Sequence, residues 1–291
     1  MSKIFLYANV ARAQTLLMTI SLILCVFLYV KYNYKTSFNL SFFCVSCSII
    51  FFHLAANTIS EYRDCIKGID NKHSPGTKYR LITGIVPYKN IYYLGLISFF
   101  LASIFGIIAL FCGSIYLVIP GLIAAGIVFF YSEKPVGLKY KAFGEICVFL
   151  GYGPLFFAAC ILSLRGYLSC FDLIFSIPFG FLTTCVLLAN NIRDYEFEQG
   201  KTLTLTIKYG LKFSYFLLFF MVNLSFLFVP YLIFQSIVSF YSLSVFLVYP
   251  LIFFSVRRIG KPEFINIFGI LQVSFTLIIC ISFLIEILLK S

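Results

Sequence analysis

Nine apolar stretches, each close to the length that crosses a lipid bilayer, leave this 291-residue chain one class to fold into: all-α and polytopic. A spanning helix needs about 20 largely apolar residues. Such runs read at roughly 13–31, 38–60, 91–112, 114–131, 143–163, 168–190, 211–233, 236–256 and 264–288. The links between the third and fourth runs, and between the seventh and eighth, are short enough to require tight hairpins. The composition agrees, with 61% hydrophobic and 11% charged residues, where soluble domains carry about 25% charged. A water-soluble domain of this size could not hide so much apolar surface in one core. No small-residue cleavage site follows the first run, which therefore reads as a span rather than a removable signal peptide.

The formal net charge is +11. In a soluble chain that would point to nucleic acid; in this one it is first a topology signal, because cytoplasmic loops collect Lys and Arg. With nine spans, the N-terminus and the loops after spans 2, 4, 6 and 8 share one side. That side holds 18 of the 22 basic residues; Lys31, Lys35, Arg165 and Lys290 lie opposite. The split predicts an integral membrane protein with its N-terminus and four basic loops in the cytoplasm; the membrane expected is a bacterial inner one. The acids crowd onto the same side, which the topology rule does not require. Only Asp172 and Glu286 of the eleven lie opposite. Acids and bases together on the same short loops point to a site.

The acidic residues fall into two motifs. Ala56-Asn57 and Ala189-Asn190 each end a span, 133 residues apart, and each Asn is followed by an acid four residues on. This weak repeat places both motifs at equivalent depth. Asn57, Glu61 and Asp64 stand at i, i+4 and i+7; Asn190, Asp194 and Glu198 at i, i+4 and i+8. If helix continues through each set, each shares one face. Paired carboxylates there repel unless cations sit between them. Oxygen ligands without paired His suit Mg²⁺, commonly held by one or two carboxylates plus substrate phosphates. Two facing acidic motifs therefore suggest a metal-bridged diphosphate. Arg80, Lys134, Lys139, Arg193 and Lys201 lie in the same loops and can meet phosphate. The competing reading is two solvated loops, with bases for topology and acids for solubility.

With these motifs the chain resembles the UbiA superfamily of membrane prenyltransferases. Asn57 to Asp64, continuing through Lys67-Gly68 to Asp70, is similar to the family's first Asp-rich motif. Asn190-Asn191, Arg193-Asp194, Glu198, Gly200-Lys201 and Thr204-Leu205, ending at Gly210, resemble the second. Tyr131, Pro135, Leu138, Tyr140, Gly144-Glu145 and Gly153-Pro154 resemble the branch that prenylates 1,4-dihydroxy-2-naphthoate. Arg12 with Thr15-Leu16, and Arg80 through Gly84 to Pro87, fit the same branch. Glu61 and Glu198 stand where Asp is usual, and the stretch from Asp194 to Thr204 is one residue short.

The resemblance implies one transmembrane domain over 1–291: nine helices around a central cavity, with the site under loops at about 57–89 and 190–210. It implies Mg²⁺-dependent transfer of an isoprenyl group from its diphosphate to an aromatic acceptor such as a quinone precursor. Glu61, Asp64, Asp70, Asp194 and Glu198 would handle Mg²⁺, with Asp64, Asp194, Glu61 and Glu198 carrying the catalysis. Asn57, Arg80, Asn190, Arg193 and Lys201 would hold metal or diphosphate, while Tyr131, Lys139 and Tyr140 cap the site. Lipid and the two substrates are the expected partners, and nucleic acid is not one. A specialised-metabolite prenyltransferase or terpene cyclase is an alternative. A transporter is another, since pseudo-repeats suit that class, as is an inactive scaffold. No general base for the acceptor is identifiable. His53, late in span 2, reads as a packing or hydrogen-bonding residue, and Cys44 and Cys47 as small packing residues within a span.

Overall fold

The computed structural model describes residues 3–69, 83–133, 135–256, 258 and 263–290. Asp70, Arg80 and Lys134 lie outside the described residues. All the regular structure described is helical. Helix α1 (Lys3–Val10) is followed by a 3-10 turn, Ala13–Thr15, that leads into α2 (Leu16–Tyr34). Next come α3 (Leu40–Ile66), α4 (Tyr88–Cys112) and α5 (Val118–Ser132). Only Gly113 and Ser114 separate α4 from the 3-10 turn that opens the next span, which is the tight hairpin expected there. The fifth span is two pieces, α6 (Gly144–Tyr152) and α7 (Pro154–Arg165), and the sixth is α8 (Cys170–Arg193). A single turn, α9 (Tyr195–Glu198), precedes α10 (Leu205–Phe234); α11 (Leu251–Val256) and α12 (Glu263–Leu289) complete the chain.

Among the described residues, eight segments are long and apolar enough, by length and composition, to cross a bilayer. The span expected over 236–256 is a shorter apolar segment, Phe240–Ser255, and most of it is a 3-10 helix, Phe240–Val248. That winding explains how it can still count as a ninth crossing. A 3-10 helix rises about 2.0 Å per residue against about 1.5 Å for α-helix. Its nine 3-10 residues and the short α11 together reach about 27 Å, near the roughly 30 Å of a hydrocarbon core.

Apolar helices hold together in lipid through close packing rather than water exclusion, so small residues mark the contacts. A Cβ built on Gly95 of α4 would lie 2.7 Å from Ile59 Cγ1 and Thr58 Oγ1 of α3. The α6–α7 break passes Gly180 of α8, where the Gly153 Cβ position is 3.2 Å from the Gly180 Cα. The first and last spans, α2 and α12, lie side by side and close the ring. Helix α8 is the most enclosed, with 61% of its apolar window buried, whereas the α5 span has 17% buried and forms one wall of the cavity described below.

The phenylalanines sort themselves in the fold. Tyr29 stacks on Phe175 at 4.2 Å, Phe179 meets Phe157 at 5.2 Å and Phe275 at 5.7 Å, and Phe226 meets Phe275 at 5.3 Å. This chain of rings joins α2, α7, α8, α10 and α12. None of these six residues lines the cavity described below. At the membrane edge opposite the acidic loops, Asp172 is fully buried. It completes a capping box with Ser169 at the start of α8, accepts from Tyr29 Oη at 2.7 Å and pairs with Arg165. Its role is to anchor a helix N-terminus, where a carboxylate is favoured.

Candidate active site

Helices α2 to α8 enclose a cavity of about 430 Å³. It is lined along α3 from Val45 to Glu61, a rise of about 24 Å in an α-helix. Its deep end is apolar, with Val45, Leu110 and Leu117; its mouth carries Arg12, Asn57, Ser60, Glu61, Lys139 and Asn190.

The first motif folds as expected. Helix α3 runs on to Ile66, so Asn57, Glu61 and Asp64 do share a face. Glu61 is 2% exposed and Asp64 1%, a burial that ionised carboxylates tolerate only with partners. Arg12 pairs with Glu61, and Lys139 with Asp64. Tyr140 Oη donates to Asp64 Oδ1 at 2.8 Å and Lys139 Nζ donates to Ser60 Oγ at 2.9 Å. The other Glu61 oxygen, Oε2, is buried with no hydrogen-bond partner among the described residues. Asn57 Nδ2 reaches Thr15 Oγ1 at 3.4 Å.

The second motif departs from the single helical face expected of it. Helix α8 ends at Arg193, and Asp194 sits at its C-cap with φ −87° and ψ 0°. Its N–H donates to Asn190 O at 3.0 Å, while its carbonyl accepts from Phe197 and Glu198 N–H at 3.0 Å each. The chain therefore stops one helix and starts another turn at the same residue. Asp194 and Glu198 are both turned inward nonetheless, 4% and 6% exposed. Arg193 holds Asp194 with two bonds of 2.5 and 2.8 Å. Asn190 Nδ2 donates to the Val186 carbonyl of its own helix at 3.0 Å.

Three loops meet over the mouth. The 3-10 turn Leu138–Lys141 brings Lys139 and Tyr140 onto the first motif. Ala142 N donates to Leu203 O at 2.7 Å, tying this turn to the second acidic loop. Lys201 Nζ reaches Ile69 O at 2.9 Å, and Arg63 forms a two-pronged pair with Glu133. The loops after spans 2, 4 and 6 thus lie on one edge of the bundle together with Arg12. Tyr131, expected in the middle loop, instead belongs to the last turn of α5 and lines the cavity.

Arg12 has a larger part in this arrangement than its motif suggested. It is a non-glycine residue at φ 53° and ψ 39°, a left-handed conformation uncommon for side-chain-bearing residues. Strained backbone of this kind costs about 1–3 kcal/mol and clusters at functional sites. Its guanidinium is pushed upward in pKa, first by the Glu61 carboxylate and further by Asp194 and Asp64. It therefore senses the carboxylates of both motifs. Burial, then the Asp64 carboxylate, drives the Tyr140 phenol upward as well, so Tyr140 remains a donor at neutral pH. Glu145 also escaped the sequence reading as a partner here: it is 5% exposed and accepts from Asn191 Nδ2 at 2.8 Å. Among the described residues no three His, Cys, Asp or Glu side chains converge tightly enough to hold a metal by themselves. Charge is balanced instead by bases interleaved with acids.

The comparisons with known proteins agree with this architecture. A structure of a UbiA homologue from Archaeoglobus fulgidus bound to DMAPP and Mg²⁺ superposes with a TM-score of 0.66 at 17% identity, over 96% of this chain and 99% of that one. An apo UbiA homologue from Aeropyrum pernix gives 0.66 at 13% identity, over 93% and 98%. At such identities the likeness is one of fold. In sequence, UbiA prenyltransferase domain-containing protein 1 of Xenopus tropicalis is 29% identical over 243 residues, 81% of this chain and 68% of its own length. The Danio rerio protein of that name is 30% identical over 68% of this chain and 57% of its own. The 1,4-dihydroxy-2-naphthoate octaprenyltransferase of Bacillus subtilis is 28% identical over 60% and 56%. The match spans little more than half the length of the last two. The model of the UbiA prenyltransferase family matches residues 18–264, which takes in six of the eight long spans complete, both acidic motifs and all of the cavity lining but Arg12 and Thr15: the chain belongs to the UbiA prenyltransferase family.

Proposed function

We propose that this chain, as one transmembrane domain over 1–291, transfers an isoprenyl group from its diphosphate to an aromatic acceptor inside the cavity. One observation carries the reading: a long apolar cavity, fit for a prenyl tail, ends at a mouth where buried acids and bases alternate. Substrate identities follow from relatives. The Archaeoglobus fulgidus homologue holds DMAPP or GPP with Mg²⁺, and the Bacillus subtilis relative is named for 1,4-dihydroxy-2-naphthoate. That hydroxynaphthoate is our leading acceptor.

Mg²⁺ suits this donor set. The donors are oxygen only, the Glu61 Oε2 is buried without a partner, and Mg²⁺ takes one or two carboxylates with phosphate completing its shell. A three-carboxylate cage is not required. Asp64, Asp194, Glu61 and Glu198 would hold it, with Asp70 assigned from the motif alone; bound with the diphosphate, it would neutralise charge on the leaving group. The chain's own cations do the rest. Arg12, Lys139 and Arg193 are committed to carboxylates in this structure; were those carboxylates to hold the metal, the three cations would be released to meet phosphate oxygens. Charge developing on the leaving group would then meet donors gathered at the mouth. Asn57, Asn190, Lys201 and, from its motif, Arg80 complete the phosphate end; Tyr140 and Tyr131 border it. The apolar walls keep water from the allylic cation.

The direct test incubates membranes carrying the chain with labelled isoprenyl diphosphates of several lengths. Either 1,4-dihydroxy-2-naphthoate or 4-hydroxybenzoate is added, with and without Mg²⁺. A Mg²⁺-dependent prenylated aromatic is the expected product; diphosphate release with no aromatic product would point to a cyclase. The basic-residue split supports a mouth on the cytoplasmic side. Single cysteines at positions 72 and 165 should therefore label from opposite sides, and labelling from the same side would overturn the nine-span order. Among the relatives named above, the Bacillus subtilis protein supports a bacterial cell membrane and the animal ones do not.

A further inference from the structure

We infer that His53 and Tyr152 form the proton-accepting pair that activates the acceptor's hydroxyl, with Tyr152 touching the acceptor and His53 acting through it. The inference rests on the aromatic-acceptor reading above and assigns the general base that the motifs leave unnamed.

Both side chains line the cavity. His53 lies on the α3 face that carries Asn57, one turn or about 6 Å deeper, below the phosphate end. Its two ring nitrogens meet three hydroxyls: Thr15 Oγ1 is 2.8 Å from Nε2, while Thr19 Oγ1 and Tyr152 Oη are 2.7 and 2.5 Å from Nδ1. The tautomer follows from the outermost bond. Thr15 Oγ1 already donates its proton to the Arg12 carbonyl at 2.7 Å, so towards the ring it can only accept. Nε2 therefore carries the hydrogen, and the Nδ1 lone pair faces the two other hydroxyls. The phenol is the stronger acid of the two, so Tyr152 donates to Nδ1 and the Thr19 hydroxyl turns to the phenol oxygen, leaving that oxygen one lone pair for a ligand.

The backbone is shaped to put Tyr152 there. It is the last residue of α6, and the chain breaks at Gly153-Pro154, where Pro154 has no N–H to continue the ladder. A side chain at Gly153 is excluded, since its Cβ would lie 2.7 Å from Phe149 O and 3.2 Å from the Gly180 Cα. A packing histidine would explain the bonds to Thr15 and Thr19. It does not explain a helix broken in mid-span so that a half-buried phenol meets the imidazole at the wall of the substrate cavity.

In the step proposed, the acceptor's O–H proton passes to Tyr152 Oη as the Tyr152 proton passes to His53 Nδ1. The aryloxide's ring carbon then supplies the electron pair for the new bond to prenyl C1, and the C1–O pair leaves with the diphosphate. The ring carbon's proton departs on the diphosphate, and its C–H electrons restore the aromatic ring. His53 returns its proton through Tyr152 to the product oxygen. Positioned bases of this kind contribute about 10²–10⁴-fold.

The test uses the full chain, purified, with Mg²⁺ and the isoprenyl diphosphate it accepts, and compares Tyr152→Phe and His53→Gln with wild type. Acceptors are 1,4-dihydroxy-2-naphthoate and ring-fluorinated analogues of increasing hydroxyl acidity. Both variants should bind the diphosphate as wild type does and lose about 100-fold in kcat with the parent acceptor. The loss should shrink steadily as the acceptor becomes more acidic, because a weaker base then suffices. A loss of less than about 3-fold, or one equal for every acceptor, overturns the pair as a base and leaves it a packing element. Should His53→Gln fail to fold, unchanged diphosphate binding by Tyr152→Phe lets that variant decide alone. A wild-type chain that prenylates none of these aromatics overturns the aromatic reading, and this inference with it.

Discussion

Asp64→Ala and Asp194→Ala are each expected to lower prenyl transfer by about 10³-fold or more, while the protein still inserts in the membrane. The estimate is the loss associated with removing preorganised electrostatic stabilisation of a leaving group. Asp64 holds Lys139 and Tyr140 at once, and Asp194 holds Arg193 through both oxygens. Each is thus the hub of its motif rather than a peripheral acid. A confounding effect is foreseeable at Asp64, because alanine leaves the Lys139 ammonium, 15% exposed, without its carboxylate. Removing one partner of a buried pair costs about 3–5 kcal/mol. The paired change Asp64→Asn with Lys139→Met removes that unmatched charge. If the loss reflects chemistry, this double variant regains thermal stability and stays inactive. Turnover near wild type in both alanine variants would sink the assignment of these acids to metal and diphosphate.

Arg12→Ala should damage stability and turnover together, and a second substitution should separate the two. Glu61 is 2% exposed and already has one oxygen without a partner. Taking away Arg12 strands it as a buried charge. The guanidinium is 31% exposed, so solvent softens the penalty to about 3 kcal/mol, the low end for a buried pair. That appears as a lowered melting temperature of the purified protein. The double variant Arg12→Met with Glu61→Met replaces the pair by apolar groups, a change that is often neutral or stabilising. It should regain most of the melting temperature. Turnover should stay down by about 100-fold, as expected when a charge-assisted phosphate contact is missing. Recovery of both properties would reduce Arg12 to a structural counter-ion for Glu61.

Much of this site was legible in the chain because it rests on local periodicity. Asn57, Glu61 and Asp64 belong to one unbroken helix, so their spacing alone placed them on a face. The same rule applied to Asn190, Asp194 and Glu198 failed at one point. Asp194 both accepts the end of α8 and opens the next turn, an exchange of backbone bonds that residue spacing does not encode. Lys139 and Tyr140 were expected near the mouth, but their bonds to Asp64 cross 75 and 76 residues of sequence. Arg12 was visible as part of a motif. That it sits in the field of three carboxylates was not, since those carboxylates come from α3 and the end of α8.

The eighth span shows the same boundary. Its apolar content was plain, and hydropathy counts residues. Whether sixteen residues reach across a bilayer depends on their winding, and the 3-10 rise is a property of the folded backbone.

By itself the sequence determined an all-helical membrane protein, its span order, the edge on which charge gathers and the two acidic motifs. Each of these is set by residue type within one or two helical turns, or by the partition of whole segments between lipid and water. Only the tertiary structure decided which base neutralises which acid, that one chain of aromatic rings packs between five helices, and that His53 meets Tyr152 at the cavity wall. Most of those contacts join residues far apart along the chain, and nothing in local pattern specifies which side chains will converge once the ring of helices closes.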